Sequence, residues 1–425
     1  MNEKEKILIM AVKRPFEKEE RFLSSVDELK SLSATAGGEV IEVITQNRQQ
    51  IHPATYLGSG KVNEIRERVD SLEIDLVISN DELSPGQLRN LGDLFGVRVI
   101  DRSQLILDIF AMRAKTKEGK LQVELAQLEY TLPRLRGIGI ELSRLGAGIG
   151  TRGPGETKLE TDQRHIRRRI DEIKRRLTLV VKQREQYRKH RREKGVFQIA
   201  IVGYTNAGKS TIFNRITNSD SLEEDQLFAT LDPLTRQLPL PSGFQTLVTD
   251  TVGFIQDLPT SLIASFRSTL EEVTEADLIL HVVDSSHPDQ EQHQATVLKI
   301  LEDLEAHQIP MLTVYNKKDK ITSDFIPLHQ PSIVISAYDE AELERLIIKT
   351  EETICENWES YALRLPMNET KRLHRLLNES IVKYNQFDEE TNEYVVHGYI
   401  SGEHPLQGFI KENNIINDGT NHTTS

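Results

Sequence analysis

Residues 196–202, Val-Phe-Gln-Ile-Ala-Ile-Val, run apolar into Gly203-Tyr204-Thr205-Asn206-Ala207-Gly208-Lys209-Ser210-Thr211. Few folds accept a buried strand that ends in a glycine loop and passes through Lys-Ser-Thr into a helix. The pattern belongs to the phosphate-binding unit of a doubly wound α/β sheet. Gly203 and Gly208 let the backbone curl so that successive N–H groups face one anion. Lys209 supplies a point charge for the outer phosphates, and the Ser210 hydroxyl can ligate Mg²⁺. The helix that starts there adds its positive end.

A loop that grips phosphates does not select a base. Asn316-Lys317-Lys318-Asp319 follows a second apolar strand, 311–315. The Asp319 carboxylate suits the N1–H and exocyclic amine of guanine, two donors that adenine does not present side by side. The Asn316 amide can reach N7 and tie neighbouring loops together, and the Lys317 stem can lie on the base. Ser336-Ala337-Tyr338 follows the strand at 332–335, which would bring a backbone N–H near O6. Ligands bind at the carboxyl ends of such strands, so these strings are expected to converge.

Asp250-Thr251-Val252-Gly253 ends the strand that begins at Thr246. Asp250 is expected to hold Mg²⁺ through a water, and the Gly253 N–H to sense the γ-phosphate. Phe228-Ala229-Thr230-Leu231-Asp232 lies in a long irregular stretch and is expected to border the nucleotide. Thr230 is the expected second hydroxyl on Mg²⁺, with Thr235 the weaker candidate. A glutamine just past Asp-x-x-Gly usually orients the attacking water. Here Phe254 and Ile255 stand there. Intrinsic hydrolysis is therefore expected to be slow and to need help. The help comes either from a partner or from a monovalent cation such as K⁺ held by Asn206, a residue that could equally be a turn former.

These motifs, in this order, resemble the translation-factor class of GTPases. Phe-Ala-Thr-Leu-Asp-Pro (228–233), Asp-Thr-Val-Gly-Phe-Ile-Gln-Asp-Leu-Pro (250–259), Ala-Ser-Phe-Arg-Ser-Thr-Leu-Glu-Glu (264–272) and Gly-Ile-Gly-Thr-Arg-Gly-Pro-Gly-Glu-Thr-Lys-Leu-Glu (148–160) resemble the HflX family of ribosome-associated GTPases. The resemblance runs from about residue 6 to about residue 407. It implies GTP hydrolysis to GDP and an arm that reaches the large (50S) ribosomal subunit near the peptidyl-transferase region. It also implies splitting or rescue of stalled or idle 70S ribosomes.

At 425 residues the chain exceeds one core, and three domains are expected: 1–195, 196–357 and 358–425. The first is a small parallel α/β sheet carrying an antiparallel helical hairpin over about 118–194. The second is the GTPase sheet, and the third a small α+β domain with a disordered tail. The single cysteine, Cys355, excludes an internal disulfide and fits a reducing cytoplasm. The first residues are no secretory signal and no stretch is long and apolar enough to span a bilayer, so a cytoplasmic monomer is expected.

The net charge of −13 argues against nucleic acid only as an average. Residues 164–194 hold fourteen Lys or Arg against four acids. Leu121, Leu125, Leu128, Leu132 and Leu135 step by four and three, as do Ile166, Ile170, Ile173, Leu177 and Val180. Two such seams predict helices packed face to face. Arg164, Arg167, Arg168, Lys174 and Arg175 fall away from the seam and are expected to stay free for ribosomal RNA phosphates. Between the helices, the glycine-rich 137–156 carries Arg144 and Arg152 and is expected to be an exposed RNA-contacting tip.

Gly58-Ser59-Gly60-Lys61 opens a helix but lacks the full phosphate-loop spacing, which favours a plain turn over a second nucleotide site. The apolar strand 278–284 suits burial on both faces, and its His281 is expected to be a core histidine. A helix is expected from Glu369 to about Lys383, and a strand over 393–400. The main rival reading is a GTP-gated chaperone of large-subunit assembly.

Overall fold

Strands of four to nine residues, separated by helices, build the first sheet. The structure is a computed structural model that describes residues 4–144, 158–193, 195–218, 227, 228, 230–256, 272–321 and 325–414. Strands β1 (Lys6–Lys13), β2 (Glu39–Asn47), β3 (Leu76–Ser79) and β4 (Arg98–Asp101) pair in the order β2-β1-β3-β4, all parallel. The central β1 is buried from Ile7 to Val12, as a strand covered on both faces must be. Helices α1 (Glu19–Thr35), α2 (Ser59–Leu72) and α3 (Pro85–Phe95) make the crossovers. Local chemistry sets the ends of α3. Ser84 and Gln87 form a reciprocal capping box, Pro85 starts the first turn, and Gly96 closes it at φ 69°.

Helix α4 (Arg102–Arg113) leaves β4 directly, and the sequence reading had no helix there. Buried Asp101 makes the junction. Its carboxylate accepts the amides of Gln104 and Leu83 at 2.9 and 3.0 Å and faces Arg134 at 3.3 Å. Helices α5 (Lys117–Arg144) and α6 (Lys158–Glu193) form the expected hairpin. Leu125, Ile170 and Ile173 are buried at its centre, flanked by Leu121, Leu128, Leu132, Ile166 and Leu177.

The described part of the chain divides into two compact units. One holds the chain up to Gln183 together with the described residues of Glu224–Asp232 and Ile255–Ser268. The other holds the remainder, with two sheets. Strands β5 (Phe197–Gly203), β6 (Leu234–Pro239), β7 (Gln245–Asp250), β8 (Leu278–Asp284), β9 (Met311–Asn316) and β10 (Ser332–Val334) run in the order β10-β9-β8-β5-β7-β6. All neighbours are parallel except β6 and β7. Helices α7 (Lys209–Thr217), α8 (Gln290–Asp303) and α9 (Glu340–Asn357) belong to this sheet.

An antiparallel sheet follows, β11 (Glu359–Pro366), β13 (Glu393–Ile400) and β12 (Ile381–Asp388), with α10 (Thr370–Glu379) and α11 (Gln407–Asn413). The helix expected to reach Lys383 stops at Glu379. Ser380 turns the chain, its hydroxyl bound to the Leu376 carbonyl and to the Tyr361 hydroxyl, and Ile381 then pairs with Tyr399. The core does not break at the expected 357/358 boundary. Trp358, Ile381 and Tyr399 pack with Phe197, Phe244 and Leu346, and Lys383 pairs with buried Glu351. Residues 415–425, expected to be disordered, lie outside the described residues.

Ile173 is fully buried in the hairpin seam. Ile173→Ala should cost about 2–4 kcal/mol, seen as a lower denaturation midpoint with faster amide exchange concentrated in α5 and α6.

Candidate functional site

Four loops at the carboxyl ends of β5, β8, β9 and β10 come together around Asn316. Its Nδ2 donates to the Ala207 carbonyl at 2.9 Å, and its Oδ1 accepts the Ala337 amide at 2.9 Å. One buried amide thus joins the phosphate loop to the Ser336-Ala337-Tyr338 loop. Gly208 stands at φ +91°, and a Cβ there would lie 2.2 Å from Asn316 Nδ2, so both backbone and space require glycine. Asp319 accepts the Ser336 hydroxyl at 2.7 Å, which aims one carboxylate oxygen and leaves the other for a ligand. Lys317, in a left-handed turn, is held by Asp284 at 2.7 Å. Lys318 pairs with Glu342, whose other oxygen accepts the Ser336 amide at 2.5 Å.

The phosphate end is equally ordered. Lys209 is buried at the start of α7, and its ammonium donates to the Tyr204 carbonyl at 2.8 Å. Burial pulls its pKa down from the ordinary 10.5 to about 8, with Asp250 opposing the fall. Ser210 Oγ donates to Asp250 Oδ2 at 2.8 Å. A hydroxyl and a fully buried carboxylate at that separation fit a hard divalent cation and its water, the donor set of a Mg²⁺ site. A Cβ at Gly253 would come within 2.9 Å of Lys209 Nζ and 2.8 Å of the Thr205 methyl, so a side chain does not fit there.

Several other expected residues make contacts of their own. The Thr251 hydroxyl donates back to the Ile201 carbonyl at 2.7 Å and braces the strand. The Tyr204 ring stacks on His293 of α8, with centroids 3.7 Å apart. Tyr338 is exposed beneath the Arg215 guanidinium, 5.1 Å from its ring centre. Thr235 lies in β6 with its hydroxyl 2.9 Å from that of Thr249. Thr211 is half-buried in the first turn of α7, and Val252 is buried. Asn206 is exposed at φ 60°, the conformation of a turn residue. Phe254 is buried and bridges to the phosphate loop through Thr205 N to Phe254 O at 2.8 Å, and its hydrocarbon ring has no group to orient a water. Phe228 and Leu231 are buried, and Thr230 is half-buried. Asp232, expected beside the nucleotide, has its carboxylate on the amides of Lys115 and Thr116. Ala229 and Arg152 lie outside the described residues, as does the side chain of Arg144.

Sequence reasoning missed Asp284 and Glu342, which position Lys317, Lys318 and Ser336. Asp284 carried a signal: it is a carboxylate at the end of an apolar strand. His281 is a buried histidine in β8, and burial drops its pKa to about 3, so it stays neutral. A cavity of about 600 Å³ beside Phe197 and Trp358 lies at the amino ends of the strands, away from this chemistry.

On the hairpin, Arg167, Arg168 and Arg175 are exposed, as is Arg164. Lys174, expected to be free, sits 2.8 Å from Glu129, because α5 sets acids opposite the basic face of α6. Arg169 is likewise gripped by Glu124 at 2.7 Å. At Gly58-Lys61 the chain uses its own groups: the Gly58 amide donates to Gln46, and Lys61 to Glu64.

Lys209 protonation gives a pH signature. Phosphate oxygens should raise its pKa back toward the ordinary value, so GTP binding above about pH 8 must take up a proton. Affinity should be flat below about pH 7 and fall as pH rises through 8. Calorimetry in buffers of different ionisation enthalpy measures the uptake, and Lys209→Arg should abolish it.

Comparison with known proteins matches residues 23–111 to the N-terminal model of GTP-binding GTPases and 113–191 to their middle region. Residues 198–317 match a model described as 50S ribosome-binding GTPase. The GTPase HflX of Alkalihalophilus pseudofirmus is 56% identical over 93% of this chain and 93% of its own length. That of Caldanaerobacter subterraneus is 48% identical over 91% of this chain and 90% of its own. That of Escherichia coli is 43% identical over 88% and 89%. With guanine and phosphate motifs framed as above, and identity of this order along nearly the whole length, this chain belongs to the HflX family of GTPases.

Proposed function

We propose that this GTPase is a cytoplasmic, monomeric factor that binds the 50S subunit and its ribosomal RNA and splits or rescues stalled or idle 70S ribosomes. Contact with the ribosome stimulates its hydrolysis. The carrying observation is the joining, in one chain, of a framed guanine-nucleotide site with a helix whose exposed face bears Arg164, Arg167, Arg168 and Arg175. The match of residues 198–317 to a family described as ribosome-binding supports the same partner. Among the described residues no helix is long and apolar enough to cross a membrane.

The residues divide the work. Asp319, Asn316 and the 336–338 loop take the guanine. Lys209 and the amides of residues 206–211 neutralise and orient the phosphates, and the Gly253 amide reads the terminal one. Ser210 and Asp250, with Thr230 as a second hydroxyl, would hold Mg²⁺, which supplies charge neutralisation at the phosphates when bound. No side chain at 254 or 255 can align the attacking water, so this reading assigns that step to the ribosome-bound state, with K⁺ at Asn206 as a possible supplement to the loop.

Turnover of GTP by the purified protein should rise at least tenfold on adding 50S subunits. Sedimentation of 70S ribosomes with the GTP form should yield free subunits. Binding confined to immature particles would instead establish the assembly chaperone. Running the assay in K⁺ and in Na⁺ decides the cation question, since equal rates exclude it.

Joint reversal of Arg167, Arg168 and Arg175 to Glu should weaken ribosome binding and flatten its salt dependence. Log affinity should lose roughly 0.7–0.9 per phosphate contact removed for each tenfold change in salt. Lys174 is left alone, because reversing it would set two acids together with Glu129. An unchanged slope with intact helix content would remove the arm from RNA binding.

A further inference from the structure

Phe228 and Asp232 are held by residues more than a hundred positions earlier. Thr116 caps helix α5: its hydroxyl accepts the Gly119 amide at 2.9 Å. The same turn is gripped from outside by Asp232. Its Oδ2 accepts the Lys115 and Thr116 amides at 2.9 Å each, and its Oδ1 accepts the Thr116 hydroxyl at 2.6 Å. The hydroxyl therefore donates once, to Asp232, and accepts once, from Gly119. A carboxylate at a helix start gains from charge-assisted bonds and from the positive end of the helix together. The space is shaped for it, because a Cβ on Gly119 would stand 2.3 Å from Asp232 Oδ1.

Four residues before Asp232, Phe228 is 2% exposed at φ 56°. Its ring meets Phe110 of α4 edge to face, with centroids 4.7 Å apart at 84°. A bulky residue in a left-handed conformation is strained, and burial of the ring is what holds it there. The same helix α4 takes the chain past Gly253, where Arg102 Nη2 donates to the Gln256 carbonyl at 3.4 Å. Asp232, Phe228 and Gln256 are thus all held by α4 and the first turn of α5, the base of the basic hairpin. Thr230 sits between the two anchors, two residues from each.

We propose that Asp232 and Thr116 form a latch that joins the nucleotide-sensing strip to the arm, with Asp232 a positioning residue for Thr230 and not a phosphate contact. One carboxylate then sets both the posture of Thr230 and the first turn of α5. A γ-phosphate that draws on Thr230 must work with or against that grip. GDP makes no such demand. Coupling of this kind is reciprocal, so loosening the latch from the arm side must change the preference for GTP over GDP. The inference rests on guanine-nucleotide binding alone, and the ribosome reading can fail without it.

The test starts from the arm side, on a residue outside the nucleotide site. Thr116→Val in the full chain removes the hydroxyl and keeps the shape. The ratio of affinities for a non-hydrolysable GTP analogue and for GDP should shift at least fivefold, with GDP affinity itself within twofold of the parent. Thr116→Ser should restore the parental ratio. Asp232→Ala should shift the ratio in the same direction, and the double variant should add little, because the two act as one unit. An unchanged ratio in Thr116→Val would overturn the latch. So would an equal loss of both affinities that Thr116→Ser fails to rescue. If Thr116→Val does not fold, the Thr116→Ser and Asp232→Ala ratios alone decide, since a latch requires the first to be parental and the second shifted.

Discussion

The side-chain amide of Asn316 is the contact on which the site depends. Its nitrogen binds the phosphate loop at Ala207 and its oxygen the base loop at Ala337, both at 2.9 Å and out of water. Buried and doubly satisfied, such a group is costly to disturb, because each broken bond would strand a polar partner. Gly208 packs so close to it that no other residue fits. The supporting acids act in the same way: Asp284 orients Lys317, and Glu342 orients both Lys318 and the Ser336 amide. This end of the sheet is thus preorganised by neutral and paired groups, with Lys209 buried against the Tyr204 carbonyl and Asp319 held on one oxygen by Ser336.

The arm follows a different rule. Its seam is aliphatic and regular, and its outer face carries an excess of one sign. Part of that excess is answered inside the hairpin, where Arg169 and Lys174 meet Glu124 and Glu129. Exposed pairs of this kind contribute little to stability, but they fix where long side chains lie. The cationic surface is therefore narrower than a count of basic residues suggests, and it centres on Arg164, Arg167, Arg168 and Arg175.

Elements whose cause is local could be read from the chain, and those whose cause is distant could not. The capping box of Ser84 and Gln87 and the apolar strand β8 carry their own explanation. Helix α4 was missed because it is buried on several faces. Leu105, Ile106, Leu107, Ile109 and Phe110 are all inside, which erases the one-sided period of an amphipathic helix. Strand β6 was missed because Leu-Thr-Arg-Gln-Leu-Pro is a short edge strand, polar along one side and defined by its pairing with β7. The first residues of strand β12, Ile381 to Lys383, were read as the end of the preceding helix, because the stop comes from Ser380 and its bond to Tyr361.

What the chain alone determined was the chemistry of single loops. The phosphate loop, the Asp-x-x-Gly turn and the Asn-Lys-x-Asp string each gather their groups within a few residues, so spacing suffices to place backbone amides, a lysine and a carboxylate. Tertiary structure decided which of those groups are spoken for. Asp232 meets Thr116 across more than a hundred residues, Lys174 finds Glu129 on the neighbouring helix, and Trp358 joins a core that spacing assigned to another domain. Such pairings depend on where distant segments close upon each other, and the free energy that selects them is shared by the whole fold and written in no local pattern.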